Sequence, residues 1–103
     1  MAEWVKAASV EECRDRCLHG VEVGGERIVL VSRDGEIHAL EDRCSHQDFP
    51  LSDGTLEDGQ LECLYHGARF DPSTGKALSL PAIKPVRTFP VEIRDAHVYV
   101  QVE

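Results

Sequence analysis

The chain has 103 residues, 42% hydrophobic and 29% charged, which suits one globular domain spanning 1–103 with a small core and does not suit disorder. Eleven basic residues against nineteen acidic ones leave a net charge of −8, which excludes a nucleic-acid binder and disfavours an anionic membrane surface. No apolar run reaches the ~18 residues of a membrane span, and Met1 to Lys6 lacks the regions of a signal peptide, so a cytoplasmic location is expected.

In chain order, the predicted elements are mostly short strands. Trp4 is expected to anchor packing near the terminus. Ser9-Val10-Glu11-Glu12 has the S-x-x-E form of a capping box and predicts about one turn of helix. Gly20 and Val21-Glu22-Val23 return to strand. Arg27 to Ser32 is β-branched and almost continuously apolar, the pattern of a strand buried on both faces. Gly24-Gly25 before it and Asp34-Gly35 after it supply the positive φ of tight hairpins. Glu36 to Glu41 forms the next strand, and Gln60 to Cys63 alternates like another. Phe89, Val91 and Ile93 predict one face of a strand. Val98, Val100 and Val102 predict one face of the next, after a turn at Asp95-Ala96. The fold class is all-β, an antiparallel sandwich or barrel. Residues 43–85 differ: they hold the densest Pro, Gly and Asp turn chemistry of the chain, as in loops carried on a rigid scaffold.

Four cysteines in a cytoplasmic chain point to metal or redox chemistry before disulfides. Two short elements in the turn-rich region concentrate such chemistry. Cys44-Ser45-His46 and Cys63-Leu64-Tyr65-His66 each offer one thiolate and one imidazole. A tetrahedral zinc ion accepts two Cys and two His, although Cys-x-His is tighter than the common zinc spacings. A [2Fe–2S] cluster with mixed ligation also fits, and Cys-x-His paired with Cys-x-x-His is its specific pattern. Cys13 and Cys17, four apart, read as reduced structural thiols. His19, His38 and His97 read as surface or strand residues without ligand spacing.

The sequence resembles a Rieske-type ferredoxin over nearly its whole length. The resemblance rests on Asp42 to Gln47, Cys63 to Asp71, Ser73 to Leu78 and Leu80 to Pro85. It implies a Rieske domain whose cluster-binding subdomain, about 43–85, consists of two hairpin loops inserted into the β-framework. It implies one [2Fe–2S] cluster per chain, with Cys44 and Cys63 on one iron and His46 and His66 on the other through Nδ1. Pro81 to Pro85 resembles the loop that shields the cluster. The implied role is a carrier, not an enzyme: a monomer passing one electron from an NAD(P)H-dependent flavoprotein reductase to a terminal oxygenase of the aromatic-ring-hydroxylating type. The alternative is the small Rieske-type subunit of an assimilatory nitrite reductase.

Departures from other Rieske proteins set further expectations. Where those of cytochrome bc complexes have a disulfide, this chain has Phe49 and Tyr65. Where they place hydroxyls on cluster sulfurs, it has Ala68 and Phe70. Hydrogen bonds to sulfur favour the reduced state, so their absence predicts a potential near the bottom of the Rieske range, roughly −150 mV. Asp48 stands where related ferredoxins commonly have Gly, and Leu64 replaces a frequent Pro.

Overall fold

The computed structural model describes residues 3–45, 49–64, 67–80 and 84–102. Among them the order is β1 (Glu3–Ser9), α1 (Val10–Asp15), β2 (Leu18–Val23), β3 (Glu26–Arg33), β4 (Glu36–Glu41), a 3-10 turn (Leu51–Asp53), β5 (Thr55–Glu57), β6 (Gln60–Glu62), β7 (Arg69–Phe70), β8 (Thr88–Phe89), β9 (Val91–Arg94) and β10 (His97–Val102). These strands make three antiparallel sheets, ordered β1-β10-β9, β2-β3-β4-β8 and β5-β6-β7. The fold is all-β, as expected. The small third sheet lies in the chain between β4 and β8, which pair with each other.

Local chemistry explains the framework. The Ser9 hydroxyl accepts the Glu12 amide at 3.1 Å, and the Glu12 carboxylate accepts the Ser9 amide at 3.1 Å, so the capping box forms. Hairpin turns fall at Gly24-Gly25, Asp34-Gly35, Asp58-Gly59 and Asp95-Ala96, with positive φ at both residues of each pair. β3 carries Ile28, Val29, Leu30 and Val31, all fully buried. Their side chains alternate between two cores. Ile28 and Leu30 pack with Ala8, Cys13, Val98 and Val100 between the two larger sheets. Val29 and Val31 pack with Leu40, Leu51, Leu61 and Phe70 beneath the inserted sheet. A strand that serves two cores has no polar face.

Four features of the framework add to the sequence reading or depart from it. The terminus before Ser9 is itself a strand, β1, which pairs with β10 along its length and bulges between Lys6 and Ala8. Trp4 is not a buried anchor: it is 37% exposed, and its ring stacks under the Arg94 guanidinium. The stretch from Phe89 to Ile93 is two strands in two sheets. β8 pairs with β4, whereas β9 pairs with β10. Pro90 has no amide to donate and stands at the switch. Ile93 faces the same side as its partner Val98, but on a sheet edge, and it is 50% exposed. Finally, Cys13 and Cys17, both read as structural thiols, differ in setting. Arg16 is already extended, with φ −122° and ψ 115°, so Cys17 lies beyond α1 and is exposed while Cys13 is fully buried.

Candidate metal centre

Cys44 and Cys63 open two loops that close in the same way. The Cys44 amide donates to the Phe49 carbonyl at 2.9 Å, and the Cys63 amide donates to the Ala68 carbonyl at 2.8 Å. Each cysteine thus bonds to the residue five positions on, so the two loops match in span. The second loop is tightened further by Gly67, whose amide donates to the Cys63 carbonyl at 3.2 Å and whose φ is +72°. A glycine meets that φ without the strain other residues carry.

Both cysteines are 1% exposed and belong to the same packed group, with Ala68 and Phe70. No disulfide joins any of the four cysteines. His46 and His66, the other two expected ligands, lie outside the described residues, as do Gln47, Asp48, Tyr65 and the segment from Pro81 to Ile83. The remaining cysteines sit apart from this group. Burial pushes the Cys13 thiol up, with the Glu12 carboxylate adding to the effect, which keeps it protonated and inert. His19, His38 and His97 lie in β2, β4 and β10, as strand residues.

The bases of the two loops are built differently. The second stands on the β6–β7 ladder, where Glu62 and Arg69 are direct partners and their side chains form a 3.1 Å ion pair. The first follows β4, and among the described residues no ladder joins its two ends. Instead the Asp42 carboxylate spans its base, accepting the Ser52 amide and the Ser52 hydroxyl, each at 2.7 Å. A third segment is fastened to both loops. The Ser45 hydroxyl donates to the Lys84 carbonyl at 2.6 Å. The Ser79 hydroxyl accepts the Arg69 amide at 3.0 Å, and the Leu78 amide donates to the Arg69 carbonyl at 2.7 Å.

The donors suit an iron–sulfur group. Two buried thiols in one packed group match the thiolate ligation that iron–sulfur clusters take. Residues 3–90 match the model of the Rieske [2Fe–2S] domain. The chain belongs to the Rieske [2Fe–2S] domain family. It is 39% identical, over 97% of its length and 96% of the relative's, to the ferredoxin component of the naphthalene 1,2-dioxygenase/salicylate 5-hydroxylase systems of a Ralstonia species. It is 46% identical to the ferredoxin component of biphenyl 2,3-dioxygenase from Rhodococcus jostii, over 80% of this chain and 77% of that one. Among solved structures, a Sphingomonas yanoikuyae ferredoxin superposes with a TM-score of 0.92 at 27% identity, covering 98% of this chain and 100% of that one. A ferredoxin–oxygenase complex of carbazole 1,9a-dioxygenase contains a chain that superposes at 0.86 with 32% identity, covering 94% of this chain and 91% of that one. No helix among the described residues of this Rieske protein is long and apolar enough to cross a membrane.

Sequence reasoning found both cysteine loops. It did not find the clamp of Asp42 on Ser52. The signal was faint: a single acid two residues before the first cysteine, with its partner ten residues on.

Proposed function

We propose that this Rieske protein is an electron-carrying ferredoxin that receives one electron from an NAD(P)H-dependent flavoprotein reductase and delivers it to a terminal oxygenase of the ring-hydroxylating type. Residues 1–103 form one domain, and the insertion at about 43–85 holds one [2Fe–2S] cluster through Cys44, His46, Cys63 and His66. The observation that carries this reading is the pair of matched cysteine loops, closed by equivalent 2.9 and 2.8 Å bonds and packed into one apolar group. When bound, the cluster supplies a one-electron couple that is neutral when oxidised and −1 when reduced, because two thiolates balance the ferric ions and sulfides while two imidazoles add no charge. That couple is easier to reduce than one with four thiolates, since an electron joins a neutral centre rather than an anion.

The chain's own residues provide burial and contact. Ala68 and Phe70 keep water from the sulfur side of the loops. Leu64, next to Cys63, is 57% exposed, and Leu80, beside the Ser79 tether, is 76% exposed. These side chains give a partner an apolar surface at the loop end. The net charge of −8 steers encounter with basic patches over longer range. The protein functions as a monomeric, cytoplasmic carrier that releases each partner after transfer.

Anaerobic reconstitution followed by iron and sulfide analysis tests the assignment. Two irons and two sulfides per chain are expected, with visible absorption bands and a reduced-state EPR spectrum of low average g. A colourless protein that holds zinc instead would refute it. Cys44→Ser and Cys63→Ser are each expected to abolish the bands.

A further inference from the structure

We propose that Asp42 is the positioning residue of the first ligand loop, doing with a side chain what the β6–β7 ladder does for the second. The proposal rests on the reading of Cys44 and His46 as ligands. Asp42 is the buried charged residue among those described, at 6% exposure. Both carboxylate oxygens are engaged: Oδ1 accepts the Ser52 amide and Oδ2 the Ser52 hydroxyl, at 2.7 Å each. Charge-assisted bonds of this length are stronger than neutral ones, and two from one residue fix orientation as well as distance. The rest of Asp42 is anchored to the scaffold. Its amide donates to the Arg27 carbonyl at 2.9 Å, and the Arg27 guanidinium donates to its carbonyl at 3.1 Å. Gly20 of β2 completes the arrangement. A Cβ there would lie 2.8 Å from the Ser52 hydroxyl and 3.1 Å from the Asp42 carboxylate, so the strand leaves room for the clamp. The two ends of the loop are thereby joined to each other at Asp42 and Ser52 and, through Asp42, to β3, although no strand pairing reaches residues 43–45 and 49–51.

The test compares Asp42→Asn, Ser52→Ala and Asp53→Asn in the cluster-loaded protein. Asp53 is exposed beside Ser52 and controls for charge alone. Cluster loss to bipyridyl is followed by absorbance, and amide hydrogen exchange is mapped along the chain. Asp42→Asn and Ser52→Ala are expected to lose the cluster about tenfold faster, with faster exchange confined to residues 43–51, while Asp53→Asn matches the unsubstituted protein. Equal rates in all four proteins would overturn the proposal. So would equal acceleration in all three variants, which would show that charge and not the clamp matters. If the unsubstituted chain takes up no iron, the ligand reading fails separately. Exchange on the iron-free chain then decides the clamp: about tenfold faster exchange at Cys44 in Ser52→Ala supports it, and unchanged exchange refutes it.

Discussion

Placing a hydroxyl at position 68 should make the centre easier to reduce. Ala68 is fully buried and ends the loop that Cys63 begins, its carbonyl accepting the Cys63 amide at 2.8 Å. Its methyl group lies in the packed group that holds both thiols. A serine hydroxyl there has little water to turn to, and a cluster sulfur becomes its acceptor. A hydrogen bond to an ionised group contributes about 1.5–3 kcal/mol and a neutral one about 0.5–1.5 kcal/mol. The bond therefore favours the reduced, anionic state by about 1–1.5 kcal/mol. For one electron 59 mV corresponds to a tenfold change in equilibrium, so the midpoint of Ala68→Ser should rise by about 50 mV from a starting value of roughly −150 mV. Phe70→Tyr, at another fully buried position in the group, should add a rise of similar size. Leu78→Ser puts a hydroxyl on an exposed site and should leave the midpoint unchanged. A spectroscopic redox titration of iron-replete protein measures all three. An Ala68→Ser midpoint at or below that of the unsubstituted protein would refute the reasoning.

Other perturbations probe the framework and the surface. Ala96 turns the β9–β10 hairpin at φ +63°, so Ala96→Gly should stabilise the protein by roughly 0.5–1 kcal/mol, seen as a rise of a few degrees in Tm. Gly75 has φ +77°, and a Cβ there would lie 2.2 Å from the Val86 carbonyl oxygen; Gly75→Ala should therefore destabilise by about 2–4 kcal/mol in denaturant titration. The Asp71 carboxyl is held below the usual carboxylate range, first by the Ser73 hydroxyl and then by its amide. A depressed folded-state pKa adds stability that is complete above the unfolded value and lost as pH falls through the folded one. Ser73→Ala should therefore lower stability at neutral pH and change it little at the acid end, so that the acid limb of the stability curve below about pH 4 flattens. Raising ionic strength should slow electron delivery in stopped-flow experiments with a reductase, because the −8 charge steers encounter.

The parts of the fold written in local pattern were legible. β3 showed in its unbroken apolar run, β10 in its valine alternation and α1 in its capping box. β1 was not. Its inward residues are Val5, Ala7 and Ala8, two of them weak strand formers, and its regularity comes from pairing with β10 and is broken by a bulge. The run through Phe89 to Ile93 misled because alternation shows which side a residue faces, not which sheet it belongs to. Pro90 marked the change of partner. At the candidate site the cysteines were legible because their chemistry and spacing are unusual. The fastenings were not, since Asp42 with Ser52, and Ser79 with Arg69, are long-range pairs of common residues.

The division of β3 between two interiors has a consequence for how the molecule tolerates change. Val29 and Val31 face the thiols' side, whereas Ile28 and Leu30 face a compartment that contains neither loop cysteine. The strand is a party wall: alterations on one side can be absorbed as lost durability, while those on the other disturb colour and potential. Neighbouring substitutions such as Leu30→Val and Val31→Ala should therefore report on separate properties, although one peptide bond links the two sites.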